Sequence, residues 1–253
     1  MDSTADLTLS VVVPVYNEET TAERCIRRVR EIPVPTEIIA IDDASSDGTL
    51  PILERLEDEG VIDVLIRQPE NRGKGAAVRA GFHAATGDAV VIQDADLEYD
   101  PRELPRLLEP IRRDLADAVL GSRFLGGPHR VLYFWHRVGN GLLTLLSNML
   151  TDLNLTDMET CYKMIRTPIA RDLHLTADRF GIEPEIVARL SQAGARIYEV
   201  PISYHGRTYA EGKKIDWKDG VAAIWHIARF NLGRRSPAAP ALGPAPTTGT
   251  PAP

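Results

Sequence analysis

Cysteine is scarce in this chain. Only Cys25 and Cys161 occur in 253 residues, in unrelated contexts and without a Cys-x-x-Cys pair. That excludes a disulfide-stapled scaffold and a thiolate zinc site, and it suits a reducing compartment. Positive charge is also in deficit: 29 Lys and Arg stand against 36 Asp and Glu, a net charge of −7. A broad nucleic-acid-binding surface is thereby excluded, so no nucleic-acid partner is expected. No apolar run reaches 18 residues, which argues against a membrane span. Met1–Asp6 is polar and acidic and lacks a signal-peptide pattern, so a cytosolic catalytic domain is expected. No internal repeat is visible. What is present is an ordinary soluble composition, 43% hydrophobic and 26% charged, enough to bury one large α/β core.

Short β-branched runs alternate with helical stretches through the first 120 residues. Strands are expected at Leu9–Val15, Glu37–Ile41, Val61–Arg67, Ala89–Ile92 and Ala118–Leu120, each apolar on both faces. Helices are expected at Thr20–Arg30, Thr49–Glu59, Gly75–Ala85 and Glu103–Arg113. The alternation predicts a parallel sheet covered by helices, with ligands bound outside the carboxyl ends of the strands. Further on, Trp135–Leu150 carries a leucine stripe at helical spacing, followed by a helix at Glu183–Ala193, a strand at Arg196–Ile202 and a last helix at Trp217–Leu232. Residues 1–8 read as a disordered start, 9–235 as the catalytic domain, and 236–253, with six prolines, as a disordered tail.

The chemistry-bearing residues follow strand ends. Asp94-Ala95-Asp96 closes the fourth strand, and Leu97-Glu98 continues it, so three carboxylates are expected to converge there. Such crowding repels unless a hard cation such as Mg²⁺ or Mn²⁺ neutralises it, although Asp94 alone is equally readable as a helix cap. Pro14-Val15-Tyr16-Asn17-Glu18 ends the first strand, and Asp42-Asp43-Ala44-Ser45-Ser46-Asp47-Gly48 ends the second. Together they offer acceptors for a base or ribose and an aromatic face. Asn71-Arg72-Gly73-Lys74-Gly75 is not a Walker A loop, because Gln68 and Gly75 stand where Gly and Ser or Thr are required. A Gly-x-Gly-x-x-Gly reading fails at Val78.

In this order and spacing the four segments resemble the family 2 glycosyltransferases of GT-A fold, from about Leu9 to Lys218. Gly121-Ser122-Arg123-Phe124, Tyr204-His205-Gly206-Arg207 and Gly212-Lys213-Lys214 are most similar to the dolichyl- and polyprenyl-phosphate mannose or glucose synthases. Two segments depart from that pattern: Glu98 stands where a Gln is common, and Thr156–Lys163 differs from the usual Thr-Gly-Phe-Arg-like sequence. The resemblance implies a single Rossmann-like domain with a mostly parallel sheet sandwiched by helices. It implies nucleoside contacts from Pro14, Tyr16, Glu18, Asp42, Asp43 and Lys74, and a Mg²⁺ or Mn²⁺ ion with diphosphate at Asp94, Asp96 and Glu98. Arg123, Arg137, Arg207, Lys213 and Lys214 would receive an acceptor phosphate, with Asp96, Arg123 and Arg207 as the catalytic residues.

A lipid monophosphate is already anionic near neutral pH, so an inverting transfer to it needs no general base. The expected activity is therefore transfer of mannose or glucose from GDP-mannose or UDP-glucose to a polyprenyl or dolichyl phosphate. The expected place is the cytoplasmic face of a membrane, reached peripherally or through a membrane-anchoring protein. Two alternatives remain open: a hydroxyl acceptor served by Glu159 or Glu183 as base, and a catalytically silent sugar-nucleotide-binding subunit.

Overall fold

The computed structural model describes residues 7–126, 130–131, 133–179, 181–206 and 217–232, with the side chains of 217–219 and 221 left aside. Among the described residues, seven strands form one sheet: β1 Leu9–Val15, β2 Thr36–Asp42, β3 Val64–Arg67, β4 Ala89–Ile92, β5 Ala118–Ser122, β6 Lys163–Arg166 and β7 Ile197–Pro201. Their order is β3-β2-β1-β4-β6-β5-β7. Every pairing is parallel except those of β6, which runs antiparallel to both β4 and β5. The β-branched runs of β1, β2 and β4 are buried on both faces, as a helix-covered parallel sheet requires. Pro14 is tolerated in this central strand because the β1–β4 ladder stops at Val12–Ile92, so the N–H it lacks has no rung to lose.

Among the described residues, eight α-helices accompany the sheet: α1 Ala22–Arg30, α2 Thr49–Asp58, α3 Lys74–Ala84, α4 Leu104–Arg112, α5 Phe134–Thr151, α6 Thr167–Asp172, α7 Ile182–Gln192 and α8 Trp217–Leu232. Helix α3 presses onto β1 and β2, and α4 onto β5, β6 and β7. Gly81 permits the first contact, since a Cβ there would meet Val12 Cγ1 inside van der Waals distance. Helices α5, α7 and α8 pack on one another around Leu120, Met158, Val187 and Ile227.

The expected elements recur within a few residues; α6 is an added helix, and three further differences follow. β3 starts at Val64, because the N–H groups of Val61 and Ile62 both turn back to the Leu56 carbonyl and finish the preceding helix. β6 escaped the hydrophobic pattern: it opens with Lys163, fully buried, whose ammonium donates to the carbonyls of Met158, at 2.9 Å, and Thr160. Helix α5 divides its apolar residues: Leu143, Leu146 and Leu150 pack against the Leu120, Met158, Val187 and Ile227 cluster, and others face outward. Its buried positions are Thr144, Ser147 and Thr151, while Phe134, Trp135, Leu142, Leu145 and Met149 are exposed. Among the described residues, no helix is long and apolar enough to cross a membrane. The start through residue 6 and the Pro-rich stretch 236–253 lie outside the described residues.

Candidate active site at the carboxyl edge of the sheet

Three neighbouring strands end in the same unusual way. The turns after β1, β2 and β4 each hold a non-glycine residue with left-handed backbone: Asn17 at φ 53°, Ala44 at φ 57° and Leu97 at φ 65°. Such conformations cost energy and persist where surrounding bonds impose them, typically at functional sites. Here those bonds stitch the first two turns together. Asn17 donates its N–H to Ser45 Oγ at 3.0 Å, Ser46 donates its N–H to Asn17 Oδ1 at 2.8 Å, and Glu18 donates its N–H to Thr49 Oγ1 at 2.9 Å. Tyr16 is left 42% exposed beside them, and Pro14 lies one turn of pleat below.

Asp42 and Asp43 are both buried, with different employment. Asp42 accepts the Ser45 N–H through Oδ2 at 3.2 Å, while its Oδ1 is buried without a hydrogen-bond partner. Asp43 receives the backbone N–H groups of Arg72 and Gly73 at 2.9 and 2.7 Å, fixing the glycine turn, φ 93°, that launches α3. Asp43 thus builds the loop, and Asp42 keeps the unsatisfied oxygen.

Lys74 is the first residue of α3. Its Nζ is 2.8 Å from Asp94 Oδ1 and 2.9 Å from Glu183 Oε1. Burial works against that charge, yet the Asp94 and Glu183 carboxylates hold the ammonium well above its ordinary pKa. Asp96 accepts the Glu98 N–H at 3.0 Å, and Glu98 Oε2 accepts the Tyr204 hydroxyl at 2.6 Å. Burial, then the adjacent Glu98 carboxylate, raises the Tyr204 phenol above its usual range. The three acids therefore share one turn without forming a cage. Among the described residues, no three His, Cys, Asp or Glu side chains are grouped to hold a metal ion. Within this turn Lys74 answers the charge of Asp94 and Tyr204 engages Glu98. A set of one or two carboxylates still fits Mg²⁺ or Mn²⁺ bound together with a diphosphate, since such ions take most of their oxygens from phosphate and water.

Arg123, expected to face a phosphate, is bound to Asp157 through a two-pronged pair: Nε to Oδ2 at 2.6 Å and Nη2 to Oδ1 at 2.7 Å, with its own N–H on Oδ2 at 3.0 Å. Burial opposes its charge, and the paired Asp157 carboxylate outweighs that penalty, holding the guanidinium well above its ordinary pKa. Tyr204 lies under it, 5.1 Å from guanidinium carbon to ring centroid. Asp157 is itself set by Glu199, which accepts the N–H groups of Thr156 at 2.9 Å and Asp157 at 3.2 Å. Arg137, on α5, stacks 3.9 Å over the Phe124 ring. Arg207, Lys213 and Lys214 lie outside the described residues.

Asp157 and the Tyr204 hydroxyl were not legible as site partners, because nothing in their local sequence signals a contact 34 or 106 residues away. Glu159 and Glu183 emerge as a second carboxylate pair. Burial, then the charge of Glu183, pushes the Glu159 carboxyl up to about 7.

Residues 10–173 match the family described as Glycosyl transferase family 2. The chain belongs to that family. Its curated relatives include an undecaprenyl-phosphate mannosyltransferase of Micrococcus luteus, 32% identical over 88% of this chain and 94% of that protein. A dolichol-phosphate mannosyltransferase of Pyrococcus furiosus is 28% identical over 88% of this chain, which spans only 63% of it. Among solved structures, glucosyl-3-phosphoglycerate synthase of Mycobacterium tuberculosis, captured with Mn²⁺, UDP and glucosyl-3-phosphoglycerate, superposes with a TM-score of 0.68 at 20% identity over 91% of this chain and 82% of that one. The fold is shared with that glycosyltransferase. This family 2 glycosyltransferase thus carries its three strained turns and its Asp-x-Asp segment at one edge of the expected α/β sheet.

Proposed function

We propose that this glycosyltransferase moves a hexose, mannose or glucose, from GDP-mannose or UDP-glucose to a polyprenyl phosphate, at the cytoplasmic face of a membrane. One observation carries the reading: the strand-end site and an outward-turned apolar helix meet at Phe124. Arg123 precedes Phe124 at the end of β5, and Arg137 of α5 stacks on its ring, beside the exposed Phe134 and Trp135. A lipid whose tail lies along an apolar face and whose phosphate reaches cationic groups has the matching chemistry. The Micrococcus and Pyrococcus relatives, named for undecaprenyl and dolichol phosphates, support the same substrate class.

The nucleoside would rest on Tyr16 between the β1 and β2 turns, where the unsatisfied Asp42 Oδ1 offers an acceptor for a base N–H or ribose hydroxyl. Asp96, with Asp94 and Glu98 of the same turn, would hold Mg²⁺ or Mn²⁺ with the diphosphate. When bound, that ion neutralises the leaving group. Lys74 pairs with Asp94 and orients its carboxylate. Arg123, joined by Arg137 and by Arg207, Lys213 and Lys214, would align the acceptor phosphate for in-line attack on the anomeric carbon with inversion. The acceptor is its own nucleophile, so no side chain has to remove a proton. Docking would use the apolar face of α5 and the exposed Ile224, Trp225 and Leu232 of α8, with Arg229 stacked 4.9 Å over Trp225. A membrane-anchoring protein is the other route to the bilayer.

The test is a donor panel of GDP-mannose, UDP-glucose and other nucleotide hexoses with short polyprenyl phosphates and Mg²⁺ or Mn²⁺, following nucleoside diphosphate release. Acceptor-dependent release with one donor is expected. Release that requires a sugar acceptor instead of the lipid phosphate would overturn the reading.

A further inference from the structure

One carboxylate on the last strand reaches two of the cations assigned to the acceptor side. Glu199 lies on β7, in register with Leu120 of β5. Both of its oxygens accept the Thr156 N–H at 2.9 Å, and Oε1 also accepts the Asp157 N–H at 3.2 Å and the Thr156 hydroxyl at 3.1 Å. Two branches leave the turn that it grips. In the first, Asp157 takes the fork of Arg123 together with the Arg123 N–H. In the second, Ser122 Oγ lies 2.6 Å from Thr156 Oγ1 and accepts the Phe124 N–H at 3.1 Å, and the Phe124 ring carries Arg137.

Proton counting gives the second branch a direction. A hydroxyl has one proton to donate. That of Thr156 goes to Glu199, so the Ser122 hydroxyl donates to Thr156 and receives from Phe124. The Phe124 N–H, the Ser122 O–H and the Thr156 O–H therefore all run toward Glu199, as do the N–H groups of Thr156 and Asp157. A group that only accepts has to stand at the end of such a chain, and an ionised carboxylate is one. A glutamine would set donors of its own against it.

The first branch shows why this anchoring bears on chemistry. Arg123 engages Asp157 through Nε and Nη2, so the plane of the Asp157 carboxylate fixes the direction of the Nη1 protons. A guanidinium recognises phosphate by that planar geometry. A shift of about 1 Å caused far from the reacting atoms can cost up to about a hundredfold in rate.

We propose that Glu199 is a positioning residue for the acceptor phosphate, holding Arg123 through Asp157 and the Phe124 platform of Arg137 through Thr156 and Ser122. This rests on the lipid-phosphate reading above and requires no contact between Glu199 and substrate.

The experiment is steady-state kinetics of the full chain with Mn²⁺, farnesyl phosphate as the acceptor and the donor that wild type uses, following nucleoside diphosphate release. In Glu199→Gln the KM for farnesyl phosphate is expected to rise roughly tenfold, with the donor KM within about twofold and kcat within about threefold of wild type. Because Glu199 acts through Arg123, the same substitution in an Arg123→Lys background should raise the acceptor KM by less than about threefold. Glu199→Asp, which keeps the charge and retracts it by one methylene, should show the acceptor defect at a few-fold, and it decides alone should Glu199→Gln fail to fold. An unchanged acceptor KM, equal losses for donor and acceptor, or a full tenfold effect in the Arg123→Lys background overturns the positioning role and leaves the lipid-phosphate reading intact. A wild-type chain that shows no farnesyl phosphate-dependent release with any donor overturns that reading and the role of Glu199 with it.

Discussion

Arg123 and Asp157 face each other through two parallel contacts, 2.6 and 2.7 Å, with the aspartate fully buried and the arginine nearly so. The pair joins the end of β5 to the segment after α5, and the Tyr204 ring beneath the guanidinium extends the connection to Glu98. Its removal has a direct thermodynamic signature. Asp157→Ala leaves a buried guanidinium uncompensated and is expected to destabilise the fold by about 3 to 5 kcal/mol in denaturant titration. Arg123→Lys keeps the charge and loses the planar fork, so turnover should drop substantially while the chain remains folded. Kinetics unchanged in Arg123→Lys would remove the residue from the acceptor site.

Asp96→Asn is expected to lower turnover by roughly a hundredfold or more while circular dichroism stays that of the wild type, because the substitution removes the charge from the central carboxylate of the Asp94–Glu98 turn. Near wild-type diphosphate release at saturating Mn²⁺ would reject the assignment.

Stability should depend on pH through Glu159. Its carboxyl titrates near 7 in the fold against 4.5 as the reference value, so the folded chain binds the extra proton between those values. Folding stability contributed by the protonated group is complete below about 4.5 and is lost as pH rises through about 7. Glu159→Gln removes that loss. Relative to wild type, the variant is expected to gain on the order of 2 to 3 kcal/mol between pH 5 and pH 8 in urea unfolding. Parallel stability curves for the two proteins would contradict this assignment.

Membrane docking can be tested without shortening the chain, which matters because α8 packs on α5 and α7 and its removal would uncover their contacts. Trp135→Glu combined with Leu145→Glu alters only exposed positions of α5. The double variant should fold normally and lose most co-sedimentation with anionic vesicles. Salt should weaken wild-type binding, since exposed charges are screened over about 8 Å at physiological ionic strength. Full retention of binding by the double variant would exclude α5 as the docking face.

Much of this arrangement was legible in the sequence where burial and periodicity agree. The β1, β2 and β4 runs could only be inner strands, and the polar segments after them had to fall at one edge of the sheet. Legibility failed where a charge is buried or an apolar stripe is divided between core and surface. Lys163 hides β6 because a buried ammonium solvated by carbonyls looks, in sequence, like a surface lysine. In α5 the spacing marks a stripe but not how it divides: Leu146 and Leu150 pack inward, while Leu142, Leu145 and Met149 face outward. Both partners of Lys74, Asp94 and Glu183, lie on distant segments that no local pattern connects to it.

Two glycines make α3 a gauge for the site. A Cβ on Gly75 would run into the Ala177 carbonyl, and one on Gly81 into Val12, so the helix is seated at both ends by direct backbone approach. It has no room to slide. Advancing α3 by one residue would carry Lys74 about 1.5 Å along its axis and about 100° around it, away from both carboxylates. The electrostatic setting of Asp94 is thus inherited from steric fit elsewhere, and altering the length of the 175–179 segment should detune the Asp94 turn as surely as a substitution within it.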